Sequence, residues 1–302
     1  MLRISFFIHQ NAFLRQNPSL MLLLIFLKQG LLSTNTIGHN EYMKISKNGR
    51  DMVSFIVTLT MAYVAMCFLL FVFQRQMIYF PTSEVSVPGV AHTVLDTGEV
   101  RIKIWTLNPG KEKALIYFGG NAENVAYNID DFRRLFPDRT VYLVNYRGYG
   151  GSSGSPHEEG FYRDALFAYN YFKKQHTALC VMGRSVGAAV ATYLASKRDV
   201  DKLLLVTPFD SAVNVGKKLY WFFPMGLILK ERLDSAGRAA KITTDTLIIA
   251  AANDRIISYE HTHNLVQAFS KTRVEVATLS DTGHNTVHLH PDYKKIITAF
   301  MR

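Results

Sequence analysis

Cysteine is nearly absent: Cys67 and Cys180 are the only two in 302 residues. Two thiols build neither a disulfide framework nor a cysteine-rich zinc site. Charge is also sparse, at 19% of residues against 48% hydrophobic, which excludes disordered and fibrous chains. No dense Lys/Arg stripe with interleaved aromatics occurs, and the longest basic runs are pairs such as Lys173-Lys174 and Lys217-Lys218. The net charge of +10 therefore reads as surface bias plus membrane-flanking charge, with no nucleic-acid partner. Missing too are G-x-G-x-x-G, a Walker lysine and H-E-x-x-H. Without them, flavin, nicotinamide and zinc-peptidase chemistry have no signature, and the expectation is no cofactor and no metal.

One charge-free run is present. Residues 52–74 read MVSFIVTLTMAYVAMCFLLFVFQ. As a helix this stretch is roughly 35 Å long, enough to cross a bilayer core of about 30 Å. It is longer than the core of a signal peptide, and no small-residue cleavage site follows it, so an uncleaved anchor is expected. Tyr79 and Phe80 suit an interfacial aromatic belt, and Pro81 marks the exit into a loop. Lys44, Lys47 and Arg50 precede the span while Arg75 alone follows it directly. That asymmetry predicts a single-pass protein with a cytoplasmic N-terminus and the large domain on the opposite side. The expected organisation is an N-terminal segment 1–51, an anchor 52–74 and a folded domain 82–302. Within the first segment, Ser19 to Leu27 is apolar but too short to span, which suits an interfacial segment. A true start at Met43 or Met52 is the other reading of that segment.

Beyond residue 90 the pattern alternates. An alternating apolar and polar run at 100–107, as in a half-buried strand, and short runs at 114–118, 140–144, 178–182, 202–206, 246–251 and 274–279 read as strands. Helical spacing falls at 124–135, 158–172, 185–196 and 292–300. Strands separated by helices predict βαβ units, hence an α/β fold with a mostly parallel, doubly wound sheet. In such sheets ligands sit at the carboxyl ends of the strands.

After the 178–182 run comes Gly183-Arg184-Ser185-Val186-Gly187, a G-x-S-x-G motif followed by an alanine-rich helix. Alone the motif is weak; between a strand and a helix it has the setting of a nucleophile elbow. The sharp turn demands tiny residues at 183 and 187. A serine hydroxyl attacks only when a base removes its proton. His284 follows the last strand directly, behind Gly283, whereas His288 and His290 lie towards the final helix. The base needs a carboxylate, and Asp254 follows the 246–251 strand. The order Ser185, Asp254, His284 suits this setting. Asp210, after the 202–206 strand, is the alternative acid; Asp281 lies too near His284 in its turn. An oxyanion would be held by the backbone N–H of Val186 and of Asn121, in the Gly119-Gly120-Asn121 loop.

Six stretches now stand together: QRQMIYFP (74–81), YFGGNAENV (117–125), NYRGYGGSSGSPHEEGFYRDA (145–165), GRSVGAAVATYLAS (183–196), TPFDS (207–211) and DTGHN (281–285). With them the sequence resembles the membrane-anchored α/β-hydrolase family that includes the fungal bud-emergence hydrolase and animal α/β-hydrolase domain proteins. The resemblance runs from Phe73 to the C-terminus. It implies an α/β-hydrolase fold, an N-terminal membrane anchor and a Ser-Asp-His triad carried by Ser185, Asp254 and His284. There are departures. Gly119 stands where the family usually has His, Asn145 where it has Asp, and Ala250-Ala251-Ala252-Asn253-Asp254 where it has His-Gly-x-x-Asp.

A lid insertion is expected at about 209–241. It contains Leu219 to Leu229, eleven residues without charge, which could line an acyl pocket, touch the bilayer or simply pack on the sheet. An anchor beside an apolar lid favours acyl esters, lysolipids or acyl thioesters over sugars. The expected function is a serine hydrolase working through an acyl-enzyme. A peptidase of the same fold and an inactive membrane-tethered scaffold are the alternatives.

Overall fold

The computed structural model describes residues 44–302. The apolar segment Ser19–Leu27 lies outside them. The chain divides into a unit ending at Met61 and a compact unit from Ala62 to Arg302.

The first described element is helix α1, Lys44–Ile78. It extends past the charge-free run at both ends. Nothing between Met52 and Ile78 is a helix breaker, and the chain turns out of the helix before Pro81. Thr58 and Thr60 return their hydroxyls to the carbonyls of Ser54 and Ile56, at 2.8 and 2.9 Å, which removes polar groups from an apolar surface. The part from Gly49 to Ile78 is long and apolar enough to cross a membrane.

The compact unit holds one eight-stranded sheet. Its strands are β1 His92–Asp96, β2 Arg101–Leu107, β3 Lys113–Phe118, β4 Arg139–Val144, β5 Ala178–Arg184, β6 Leu203–Val206, β7 Thr246–Ala251 and β8 Val274–Leu279. The spatial order is β1-β2-β4-β3-β5-β6-β7-β8. The β1–β2 and β2–β4 pairs are antiparallel and every other pair is parallel. Helices α2 Ile129–Leu135, α3 Glu158–Lys173, α4 Val186–Ala195, α8 Tyr259–Ala268 and α9 Pro291–Met301 follow β3, β4, β5, β7 and β8 in turn. Between β6 and β7 lie three short helices, α5 Ala212–Leu219, α6 Met225–Ile228 and α7 Ala236–Ala239.

Central strands are buried on both faces, so they read as apolar runs: β6 is LLLV and β7 is TLIIAA, with every residue buried. Side chains alternate between two core clusters. Ile116, Val181, Leu205 and Ile248 point to one; Leu115, Met182, Leu204 and Ile249 point to the other.

Strand β1 and the segment 124–135 depart from the sequence pattern. Strand β1 went unread because only Leu95 of its five residues is buried, leaving no alternation to detect. The helix expected over 124–135 is split. Asn124 caps a 3-10 turn, Val125–Asn128, and α2 begins only at Ile129. Tyr79 corrects a further expectation. It is no interfacial belt residue but is 2% exposed, packed edge-on against Phe161, with its hydroxyl 2.7 Å from Glu231. Burial and the neighbouring Glu231 carboxylate both push its phenol well above the usual range.

Candidate active site

Ser185 sits between β5 and α4 with φ +51° and ψ −115°, a strained conformation for a residue with a side chain. Its backbone N–H is held by the Val206 carbonyl of β6 at 2.9 Å. The turn closes only because its flanks are glycine. A Cβ at Gly183 would lie 2.1 Å from the Gly187 carbonyl oxygen, and one at Gly187 would lie 2.0 Å from that of Phe118. Backbone cannot yield by that much, so the two glycines set how closely α4 approaches β3 and β5.

Two loops from the same sheet edge meet this serine. His284, five residues beyond β8, places Nε2 2.9 Å from Ser185 Oγ and Nδ1 2.7 Å from Asp254 Oδ2. Asp254 lies beyond β7, and its other oxygen accepts the N–H groups of Ile256 and Ile257 at 2.9 and 2.8 Å. The loops are stitched together by Asn253 N–H to the Thr282 carbonyl and Ala252 N–H to the Leu279 carbonyl, both 2.9 Å. Both side chains are nearly fully buried. Serine, histidine and aspartate thus form one hydrogen-bonded chain across 99 residues of sequence.

The loop after β3 lies over the serine. The Cβ position of Gly120 is 3.8 Å from Ser185 Cβ. Gly120 N–H is taken by Glu123 Oε2 at 2.7 Å, so it is committed to holding the loop. The Asn121 side chain ties the loop to the end of α1. Its amide nitrogen donates to the Ile78 carbonyl, and its oxygen accepts from Phe80 N–H at 3.1 Å and from the Tyr149 hydroxyl at 3.0 Å. Val186 opens α4, where backbone N–H groups have no helical carbonyl to bind.

Sequence reasoning missed the residues that brace this loop. Glu123 accepts from Tyr117 at 2.7 Å, Asn128 at 2.6 Å, Gly120 N–H and Arg184 Nη1 at 3.1 Å. Arg184, inside the elbow motif, continues to the His284 carbonyl at 3.4 Å and Asn285 at 3.2 Å. Burial disfavours its charge, but its neighbours together, led by the Glu123 carboxylate, outweigh that and raise the guanidinium's affinity for its proton. One ion pair therefore spans the loop after β3, the elbow and the histidine loop. The only signal was a charged residue in each of two otherwise small-residue turns. Gly119 lies close to this brace: a Cβ there would be 2.7 Å from Val125 Cγ1 and 3.3 Å from Glu123 Cδ.

The runners-up go elsewhere. Asp210 is buried, and its carboxylate faces His261 Nδ1 at 2.9 Å, Ser211 N–H at 2.7 Å and Asn214 at 2.8 Å. It does not reach His284. Asp281 is exposed, at φ +53° in the turn after β8. His288 lies in a 3-10 turn, where burial and then the Arg184 charge lower its pKa. His290 caps α9 by accepting from Asp292 N–H at 3.1 Å. Among the described residues no group of three or more His, Cys, Asp or Glu side chains gathers as a metal site.

An uncharacterised Mycobacterium tuberculosis protein, Rv2307c, is 31% identical over 250 residues, covering 77% of this chain and 89% of that one. The Saccharomyces cerevisiae uncharacterised membrane protein YNL320W is 28% identical, covering 71% of this chain and 80% of the relative. The Caenorhabditis elegans α/β-hydrolase domain-containing protein aho-3 is 27% identical over 53% of this chain and 48% of its own. The chain belongs to this α/β-hydrolase family. No family model matches it. Among solved structures, the Pyrococcus furiosus esterase Pf2001 superposes with TM-score 0.58 at 17% identity, covering 74% of this hydrolase and 98% of the esterase. That likeness carries the α/β-hydrolase fold.

Proposed function

We propose that this hydrolase is a membrane-anchored serine hydrolase that cleaves acyl esters or thioesters through a covalent acyl-enzyme. The observation that carries the reading is the continuous chain from Ser185 Oγ to His284 to Asp254, built on a strained elbow. With the imidazole proton on Nδ1 and donated to Asp254, Nε2 is free to accept the serine proton. Ser185 Oγ then attacks the acyl carbonyl carbon, and its proton passes to Nε2. Asp254 stabilises the resulting imidazolium. The negative oxygen of the tetrahedral intermediate is met by the N–H groups of Val186 and Asn121, with the α4 dipole adding favourable potential. Collapse expels the alcohol or thiol, which leaves with the proton from Nε2. Water attacks the acyl-serine by the same route, giving the acid and free Ser185.

The Glu123–Arg184 pair supports this reading, because it braces the proposed oxyanion loop against the histidine loop. The apolar helix α1 supports the anchoring, and the uncharged lid segment 219–229 supports an acyl substrate over a sugar.

The test is labelling of the membrane-bound protein with a serine-reactive fluorophosphonate, alongside Ser185→Ala. Labelling of the wild type alone is expected. A chain-length series of esters, thioesters and peptides then separates acyl hydrolase from peptidase. A folded wild type that takes no label would overturn the reading in favour of an inactive scaffold.

A further inference from the structure

We infer that the lid segment Leu219–Leu229 is inserted in the bilayer alongside helix α1. This rests on the reading of α1 as a membrane span and adds a second lipid contact to it.

The argument begins with where the lid touches the helix. Tyr63 donates its hydroxyl to the Phe222 carbonyl at 2.8 Å, and its ring stacks 5.7 Å from that of Phe223. Further along, Cys67, Leu70 and Phe71 pack on Val213, Met225, Ile228 and Leu229. Gln74 binds the Ile228 carbonyl at 3.2 Å and Lys230 N–H at 2.7 Å, and Arg75 pairs with Glu231 at 2.7 Å. The lid therefore lies along α1 from residue 75 up to residue 63.

Length decides what that means. The first charge after the apolar run is Arg75. Tyr63 lies twelve residues before it, about 18 Å along the helix, which is more than half of a hydrocarbon core of about 30 Å. A lid kept wholly in water would leave only residues 52–62 for the membrane. Eleven residues reach roughly 16 Å, half of what a span needs. If α1 crosses the bilayer, the tip of the lid goes in with it.

The composition of the lid fits that position. Trp221 is 81% and Leu227 84% exposed, and Leu219, Tyr220 and Phe222 are also turned outward. No charge interrupts 219–229, while Lys217 and Lys230 flank it, suited to lipid phosphates at the interface. Lys230 lies 4.3 Å over the Phe71 ring at the level where the apolar run ends. The N–H groups of Phe223, Met225, Leu227, Ile228 and Leu229 are bonded within the segment, that of Tyr220 reaches the Gly216 carbonyl of α5, and Tyr63 satisfies the Phe222 carbonyl. Lipid demands such internal pairing. The lid springs from β6, beside the strand that carries Ser185. An acyl chain resident in the leaflet would thus meet the lid without passing through water.

Trp221 is its own reporter, because Trp105 is buried at 2% exposure. The full chain would be placed in phosphatidylcholine–phosphatidylserine vesicles with acyl chains brominated at mid-chain. Wild type would be compared with Trp221→Phe. Contact with the acyl chains predicts roughly a two-fold or greater loss of the Trp221 contribution to emission. Phe55→Trp in the Trp221→Phe background reports the span. Quenching at both positions supports the inference. Quenching at residue 55 with Trp221 unquenched overturns the inserted lid and leaves the span standing. Quenching at neither overturns both.

Discussion

Two buried histidine–aspartate pairs stand among the described residues, and they look alike. His284 faces Asp254 at 2.7 Å and His261 faces Asp210 at 2.9 Å, each through Nδ1 and each nearly fully buried. Their settings differ. His284 is on a loop at the carboxyl edge of the sheet, so its second nitrogen reaches Ser185. His261 is on α8, and its aspartate serves the root of the lid. Asp210 binds Asn214 of α5 through its side chain and Ala236 N–H of α7 through its carbonyl. The same local chemistry is offered to Ser185 in one place and to an architectural joint in the other. A buried His–Asp pair is thus no evidence of catalysis until its free nitrogen has an address.

That contrast can be broken most directly at the nucleophile. Ser185→Ala or His284→Ala is expected to lower kcat/KM on an acyl ester by about 10⁵- to 10⁶-fold. His261→Gln, measured beside them, should change it less than about three-fold per folded molecule. Equal losses in the two histidine variants would erase the distinction. Next in size is Asp254→Asn, with a fall of about 10⁴-fold as the imidazole loses its tautomer, against near-wild-type turnover for Asp210→Asn. A third expectation concerns the brace. Glu123→Gln should reduce kcat by roughly 10- to 100-fold with KM little changed, since it loosens donors that act on the intermediate.

Asp210→Asn sharpens the comparison from the other side. Losing charge-assisted bonds at a buried site should cost about 1.5–3 kcal/mol. Thermal melting should register that as a fall of several degrees. The smallest effect is acid dependence at the joint between α1 and the lid. Burial raises the Glu231 carboxyl pKa, but hydrogen bonds from Tyr79 and Arg75 outweigh it and hold the group below its ordinary value. A lowered folded-state pKa gives stability that is present above the unfolded value of about 4.3 and lost as pH falls through the lower one. Melts at pH 7 and pH 4 should therefore differ more in the wild type than in Glu231→Gln.

Much of the site was legible because its geometry is local. Gly183 and Gly187 are dictated by backbone atoms that a Cβ would meet at 2.1 and 2.0 Å, and that need shows directly as G-x-S-x-G. Buried parallel strands such as LLLV and TLIIAA betray themselves because both faces must be apolar. Strand β1 escaped because it buries one side chain, and α8 because its sequence, YEHTHNLVQA, is polar around most of its circumference. Asp254 and Asp210 each follow a strand at the same edge, and one-dimensional order does not say which carboxylate a histidine will find.

Composition, period and the elbow by themselves determined that this chain has a long apolar helix, a mostly parallel α/β sheet and a serine lifted from its edge. Those properties depend on neighbours within a few residues, or on the average environment of a whole strand. Tertiary structure alone decided that Tyr79 is buried against Glu231, that Glu123 and Arg184 brace the loop over Ser185, and that the lid reaches Tyr63. Each of these is a meeting of one side chain with one partner 61 to 159 residues away. Such meetings are set by how the layers dock, and no sequence period carries that information.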